Sequence, residues 1–151
     1  MCLIPDTENV ARAIFSPKMI YRGHILPAAF ELRSFLKEEY ISVMRMSFET
    51  WKEDILRIPQ RKNRQLYGYA EMNVGAIRHI KKESARYDVL PVDNEACKSH
   101  AGIYITYNKE KLIGGKPLSS VEDKEAQDFM LLSLRQELVK IAQQRLVVMQ
   151  A

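Results

Sequence analysis

The chain has 151 residues, a formal net charge of +4, and an apolar share of 46% beside a charged share of 28%. This length favours a single domain, 1–151, with a sizeable hydrophobic core, and the composition excludes wholesale disorder. Uncharged apolar stretches such as 146–149 are too short to cross a bilayer, so we expect no membrane contact. The first residues show no secretory pattern, which favours a cytoplasmic protein whose Cys2 and Cys97 are reduced.

The first third of the chain predicts a short helix, a strand and a second helix. Residues 7–15 predict the first helix, which ends before Pro17 because the residue before proline avoids helical geometry. Residues 40–46 alternate between apolar and polar side chains, a pattern typical of a half-buried strand. Ser47 predicts the N-cap of a helix that runs to about Ile58.

The middle of the chain predicts three strands and one helix. Residues 66–72 predict a strand, and Asn73 then predicts the cap of a helix over 74–83. Residues 87–92 predict a short strand at an edge or an end of the sheet, because they contain a proline. The run 101–107 is the most β-like, since it is rich in aromatic and branched side chains.

A long amphipathic helix is predicted over about 120–147, opened by a capping box at Ser119 or Ser120. Its predicted apolar face consists of Phe129, Leu132, Val139, Ala142 and Leu146. The residues predicted to widen this face are Leu131, Leu134, Leu138 and Ile141. Strands interspersed with helices predict an α+β fold. We expect a small mixed or antiparallel sheet with helices packed on it.

The positive charge is concentrated in one segment, 57–86. It carries eight basic residues against two acidic ones, whereas the flanks 1–56 and 87–151 each have a net charge of −1. A local field of one sign attracts anions, so this segment predicts a surface for an acidic protein partner. The residues that we expect to bind the partner are Arg57, Arg61, Lys62, Arg64, Lys81 and Lys82.

Enzymatic motifs are absent from the sequence: it has no Walker A loop, GxGxxG, HExxH, GxSxG, CxxC or EF-hand loop, and we predict no cofactor and no metal. Arg22 lies beside a glycine, and its guanidinium can grip a phosphate or carboxylate. His24 and His100 border predicted strands and suit proton transfer, although each imidazole can equally well satisfy backbone groups. These three residues are the candidate catalytic set if the protein is an enzyme.

One family resemblance spans about residues 20 to 105. Its motifs, in chain order, are Arg22, Ala29-Phe30, Ile41-Ser42-Val43, Gly68-Tyr69-Ala70 and Ser99-His100-Ala101-Gly102-Ile103. This order resembles that of a set of small uncharacterised bacterial proteins. The resemblance implies a shared domain and no particular activity. The chain departs from the pattern at Leu26-Pro27-Ala28, where a serine usually precedes the Ala-Phe pair.

Three functional hypotheses follow from the sequence. The favoured one is a cytoplasmic accessory or protein-interaction module that uses the basic segment 57–86. The second is a small enzyme that acts on a phosphate- or carboxylate-bearing substrate, which requires Arg22, His24 and His100 to converge in one cleft. The third is nucleic-acid binding, with Tyr67, Tyr69 and Tyr87 as candidate stacking residues.

Overall fold

A computed structural model describes residues 3–61, 63–82, 84–92, 99–119 and 124–149. Over these ranges the chain forms an antiparallel sheet with several helices, the longest of them C-terminal. The predicted α+β class is therefore confirmed. The described strands are β1 (Asn9–Ser16), β2 (Ile20–Tyr21), β3 (His24–Ile25), β4 (Ile41–Arg45), β5 (Gln65–Asn73), β6 (Lys81–Lys82), β7 (Ala85–Pro91), β8 (His100–Tyr107), β9 (Glu110–Lys111) and β10 (Leu146–Val148).

The strands of the main sheet follow the order β10-β5-β1-β4-β8-β7-β6, and β9 extends β8 beyond its pairing with β4. Every pairing is antiparallel, and β2 and β3 form a separate hairpin. The described helices are α1 (Trp51–Leu56), α2 (Val74–Arg78) and α3 (Lys124–Gln144), with 3₁₀ turns at Pro27–Phe30 and Ser34–Leu36. The strands predicted over 66–72, 87–92 and 101–107 are confirmed as β5, β7 and β8.

The helix predicted over 7–15 is wrong, because this segment forms β1 near the middle of the sheet. It pairs with β5 from Asn9 to Ser16 and with β4 at Val10 and Ala11. The run contains Val10, Ile14 and Phe15, whose branched and aromatic side chains suit a pleated surface. The hydrogen bonds to two neighbouring strands outweigh the helix propensity of its alanines, because tertiary context overrides local propensity.

The sheet buries both of its faces. One face packs under α3 and includes Val10, Val43 and Ile103, together with Leu134 and Leu138 of the helix. The other face packs under α1 through a smaller cluster, whose fully buried members are Ala11, Ala13, Phe15, Met44 and Ile55. Successive residues of a strand point to opposite faces, so β1, β4 and β5 contribute to both clusters, whereas the buried hydrophobic residues of β7 and β8 belong to the cluster under α3.

The buried face of α3 differs from the predicted one. Leu134, Leu138 and Ala142 are fully buried, while Phe129 is 72% exposed. Leu134 and Leu138, predicted only to widen the face, therefore lie at its centre together with Ala142 of the predicted face, because residues four apart lie on one side of a helix. The helix ends at Gln144, and 146–148 leave it to form β10 beside β5.

Both short helices are shorter than predicted. The first begins at Trp51 after Thr50, instead of after Ser47, and ends at Leu56. The second stops at Arg78, since Lys81 and Lys82 pair with β7 as β6. Asn73 caps it as predicted, because its Oδ1 accepts a hydrogen bond from the Ala76 amide at 2.9 Å.

The predicted capping box of the long helix lies partly outside the described residues, which omit 120–123. The described hydroxyl of Ser119 donates to the carboxylate of Glu110 at 2.8 Å, so it holds the loop against β9. The helix is described from Lys124 onward. Cys2 and Cys97, which we expect to be reduced, also lie outside the described residues.

Candidate functional site

The sheet opens between β1 and β4, and Arg12 occupies the opening. These strands pair at Val10↔Arg45 and Ala11↔Met44, after which β1 continues along β5. The Arg12 guanidinium donates to the Ala29 carbonyl from Nε and Nη2 at 3.0 and 2.9 Å, and to the Ser42 carbonyl from Nη1 at 2.9 Å. Arg12 therefore satisfies a carbonyl of β4 that a neighbouring strand would otherwise satisfy.

A cavity of about 560 Å³ lies beside this opening, and we call it the arginine cleft. Its size falls within the range of small-molecule sites. Five basic residues and two acidic ones line it, which leaves an excess of three positive charges: Arg12, Lys18, Arg33, Arg61 and Arg64, with Glu31 and Glu38. Apolar side chains, among them Phe15, Met19 and Ile58, contribute to the remaining walls.

Burial, with a smaller contribution from neighbouring positive charges, lowers the pKa of two guanidinium groups in the cleft, those of Arg12 and Arg64. Burial lowers the pKa of Arg12 to about 10; the charge of Glu38 opposes this shift, and the charges of Arg33 and Arg64 add to it. Burial also lowers the pKa of Arg64, with contributions from the charges of Arg61 and Arg33. The arginine cleft therefore holds more positive charges than its carboxylates can balance.

Glu38 neutralises one of these arginines. Its carboxylate accepts from Nε and Nη2 of Arg33 at 3.1 and 3.0 Å, and from the Arg33 backbone amide at 2.6 Å. Burial favours a higher pKa for Glu38, but the hydrogen bonds and charge of Arg33, together with the charge of Arg12, bring this pKa below its usual value. Glu38 is therefore ionised, and its paired charge competes with any anion for Arg33.

Arg64 keeps part of its hydrogen-bonding capacity unused. Its guanidinium lies over the Phe15 ring, 4.1 Å from the centroid, and Nη2 donates to the Pro59 carbonyl at 3.2 Å. Its Nε is buried and has no hydrogen-bond partner within the described ranges. Backbone hydrogen bonds between Arg61 and Arg64, at 2.9 and 3.0 Å, fix the turn that carries both side chains. A buried donor without a hydrogen bond costs free energy. An acceptor in the cleft that bonds to this Nε would remove that cost.

Ser42 and His100 meet at one end of the cleft. Ser42 Oγ and His100 Nε2 are 2.7 Å apart. The register explains the contact: Ser42 pairs with Gly102 and Met44 pairs with His100, so the two side chains are diagonal neighbours on one face. The Tyr40 ring packs edge-on against the imidazole, with centroids 5.8 Å apart.

Gly102 makes room for this arrangement. A Cβ at this position would lie 2.7 Å from Cγ of Tyr40, so a side chain here would displace the tyrosine. A second cavity, of about 330 Å³, lies over the Ser42–His100 pair, and Glu38, Tyr40 and Ser42 line both cavities. Ser42 therefore lies where the two cavities adjoin.

Arg22 and His24 lie elsewhere, on the β2–β3 hairpin. Both side chains are exposed, and the Arg22 guanidinium lies over the Tyr21 ring, 5.2 Å from its centroid. Gln143 of α3 holds the hairpin, because it accepts from the Ile25 amide at 2.7 Å and donates to the Gly23 carbonyl at 2.9 Å. The hairpin thus belongs to the layer that contains α3.

His100 points away from that layer. Its neighbour Ala101 and the alternate residue Ile103 lie in the core under α3, so His100 faces the opposite side of the sheet. The structure therefore separates His100 from Arg22 and His24. The convergence that the enzyme hypothesis required of these three residues is not present, and His100 meets Ser42 instead.

The basic segment does not form one surface. Arg61 and Arg64 line the arginine cleft, while the Arg57 side chain is 77% exposed and lies 3.7 Å from Asp54. Lys81 and Lys82 form the edge strand β6, at the end of the sheet far from β5. Strand pairing separates them, since 57–64 leads into β5 whereas β6 pairs with β7.

Other cations of the segment hold the fold together. Arg78 bridges Asp6 and Asp88 at 2.7 and 2.8 Å, and Lys82 lies 3.5 Å from Glu137 of α3. Lys62, a predicted partner-binding residue, lies outside the described residues.

The tyrosines proposed for base stacking are packed. Tyr87 is buried, Tyr67 packs against the core under α3, and Tyr69 packs edge-on against Trp51 with centroids 5.0 Å apart. No helix within the described ranges is long and apolar enough to span a membrane. Within those same ranges, no group of three or more His, Cys, Asp and Glu side chains is placed to hold a metal ion.

Arg12, Arg33 and Glu38 are not among the site residues predicted from the sequence. An arginine is unremarkable in the helix predicted over 7–15. Once 10–15 is known to be a strand, a charged residue within this apolar run marks Arg12 as a candidate site residue. Arg12 joins distant segments of the chain, because it donates to the carbonyls of Ala29 and Ser42. Comparison of the chain with family models, with curated proteins and with solved structures found no match in any of the three.

Proposed function

We propose that the protein binds a small ligand that carries a phosphate or carboxylate group in the arginine cleft. The observation that carries this proposal is the lining of the cleft, in which five basic residues face two acidic ones and the buried Nε of Arg64 has no hydrogen-bond partner among the described residues. Such an excess of positive charge is unfavourable without a counter-charge, and a bound anion would supply it. Arginine forks also match the paired oxygens of phosphates and carboxylates.

The walls of the cleft favour a ligand with an apolar or planar body beside its anionic group. Phe15, Met19 and Ile58 line the cavity together with the arginines. A cavity of about 560 Å³ is also larger than an inorganic anion needs. The ligand class is therefore an organic phosphate or carboxylate of modest size.

Isothermal titration calorimetry with phenyl phosphate tests this proposal, because the probe combines both features. Phenol and inorganic phosphate serve as probes of each part alone. The test variant is Arg64→Gln, which keeps the length of the side chain and removes its charge. Arg57→Gln is the matched control, since Arg57 lies in the same basic segment but is 77% exposed and does not line the cleft.

We expect Arg64→Gln to weaken phenyl phosphate binding by about 10- to 150-fold, which is the loss of one charge-assisted hydrogen bond of roughly 1.5–3 kcal/mol. Arg57→Gln should change the affinity less than about threefold, because exposed charges are screened. No heat of binding to wild-type protein, or equal losses in the two variants, would contradict the proposal.

An acidic protein partner is our second proposal, and the exposure of Arg57 and Arg61 favours it. It makes an additional prediction for Arg57→Gln, because a docking surface needs its exposed charges. Arg57→Gln should then weaken partner capture while phenyl phosphate binding is unaffected. We also keep the cytoplasm as the proposed location, which fractionation of producing cells would test.

A further inference from the structure

The Ser42–His100 pair has the geometry of a nucleophile with its base. The hydroxyl oxygen and the imidazole Nε2 are 2.7 Å apart, within the range that proton transfer requires. Both side chains are partly exposed, so a ligand can reach them. Tyr40 packs against the imidazole and fixes the plane of the ring.

The position of the pair links it to the arginine cleft. Ser42 lines both that cleft and the second cavity, whereas His100 lines the second cavity. Arg12 is hydrogen-bonded to the backbone carbonyl of Ser42, so a positive charge lies beside the strand that carries the hydroxyl. An anionic group held by the cleft would therefore approach Ser42 on one side, with His100 on the other.

We propose that Ser42 is a nucleophile, activated by His100, that takes the phosphoryl group from a phosphate monoester bound in the cleft. This inference rests on the proposed function and names the reaction of that same site. The charge of the cleft favours a phosphoryl group over a neutral acyl group, because guanidinium groups stabilise the non-bridging oxygens that carry charge during the transfer.

The first step forms a bond between Ser42 Oγ and phosphorus while the bond from phosphorus to the ester oxygen breaks. The proton of the hydroxyl moves to His100 Nε2 and then to the departing alcohol. In the second step water attacks phosphorus, and His100 accepts a proton from that water. The bond from phosphorus to Oγ then breaks, His100 returns the proton to Oγ, and inorganic phosphate leaves. No oxidant or reductant takes part.

Labelling with an alkyl fluorophosphonate tests the activation of Ser42 without knowledge of the natural substrate. The serine oxygen attacks phosphorus and fluoride leaves, so the rate reports nucleophilicity directly. We expect peptide mapping to find the label at Ser42 in wild-type protein. His100→Gln retains a hydrogen-bonding side chain but provides no base, and it should slow labelling by about 100-fold or more.

His24→Ala is the matched control, because His24 is an exposed histidine on the opposite side of the sheet. Its labelling rate should equal that of wild-type protein. Circular dichroism and thermal melting establish that each variant is folded, and His100→Asn is the second variant if His100→Gln is not. Wild-type protein unlabelled at Ser42, or labelled equally fast without His100, would overturn the inference.

Release of phenol from phenyl phosphate is the second readout, and Ser42→Ala should abolish it. Labelling of Ser42 without release of phenol would overturn the assignment to phosphate monoesters. The failures of the two proposals are distinguishable. Calorimetry on Ser42→Ala protein measures binding without the heat of hydrolysis. If it detects phenyl phosphate binding but Ser42 of wild-type protein is not labelled, only the reaction is wrong; if Ser42 is labelled but phenyl phosphate does not bind, the arginine cleft is wrong.

Discussion

Replacement of Glu38 by glutamine should strengthen anion binding, which is the opposite of what most substitutions in a site do. Glu38 holds Arg33 through its carboxylate, with contacts of 3.1 and 3.0 Å. Neutralising it frees the Arg33 fork for a ligand and removes a negative charge from the wall of the cleft. The side-chain carbonyl of the introduced glutamine can still accept the bond from the Arg33 amide, so the loop should retain its geometry.

The size of the gain follows from the charges. At a separation of about 8 Å, a unit carboxylate repels a unit anionic charge by roughly 0.5 kcal/mol in water and about 2 kcal/mol at an effective dielectric constant of 20. Arg33 and Glu38 side chains are 36% and 26% exposed, which places the interaction between those limits. We therefore expect phenyl phosphate to bind Glu38→Gln about tenfold more tightly than wild-type protein.

Calorimetry at low and high salt measures this gain, and the gain should shrink as salt screens the charges. Glu39→Gln is the matched control, because Glu39 is the next residue but lies 3.3 Å from Lys111 and does not line the arginine cleft. Affinity that is unchanged or weaker in folded Glu38→Gln, or equally improved in Glu39→Gln, would refute the reasoning.

The same substitution predicts a change in acid stability. The pKa of Glu38 is lower in the folded protein than in the unfolded chain, so the stabilisation is present above the usual carboxylate pKa. It is lost as the pH falls through the lowered pKa. Unfolding of wild-type protein by urea should therefore depend more steeply on pH in the acid range than unfolding of Glu38→Gln.

Three further predictions concern the fold that positions the site. Arg45→Met leaves the buried carboxylate of Glu8 without its partner, so it should cost about 3–5 kcal/mol and lower the Tm by roughly 6–20 °C. Leu138→Ala should cost about 2–5 kcal/mol in urea unfolding, whereas Phe129→Ala should cost little, because only Leu138 is buried. Gly68→Ala should release β10, since its Cβ would collide with the backbone carbonyl oxygen of Val147, and hydrogen exchange of β10 should accelerate.

Each of these predictions has a contradicting result. A melting temperature of Arg45→Met within about 2 °C of wild type, a bound that corresponds to a loss of less than about 1 kcal/mol, would mean that the buried pair contributes nothing. Equal costs for the two α3 substitutions would mean that the helix packs through its predicted face. Unchanged exchange in Gly68→Ala would mean that β10 does not lie against β5.

Local sequence patterns predict some elements well and others poorly. The run 101–107 is recognisable as a strand because its branched and aromatic side chains leave few alternatives. The alanines of 7–15 favour a helix, while the two neighbouring strands that decide the structure of this segment are distant in sequence. Likewise, Leu146 continues a helical apolar spacing, but 146–148 pair with β5.

The site depends on register, which the sequence does not provide. Ser42 and His100 are 58 residues apart, and they meet because β4 and β8 pair so that Met44 lies opposite His100. The density of charge in 57–86 is visible in the sequence, but one end of this segment leads into β5 and the other forms β6, and four strands lie between β5 and β6 in the sheet order. The arginine cleft is lined by Arg64 of this segment together with Arg12 and Arg33, which lie outside it.

Arginine side-chain NMR tests the central claim most directly. Spectra of the Nε–H groups, recorded during a titration with phenyl phosphate, report each guanidinium separately. We predict shifts for Arg33 and Arg64, and the largest for Arg64, whose buried Nε has no hydrogen-bond partner among the described residues. Arg57 and Arg86, which do not line the cleft, should not shift. No change at Arg33 and Arg64, or equal changes at all four, would contradict the account.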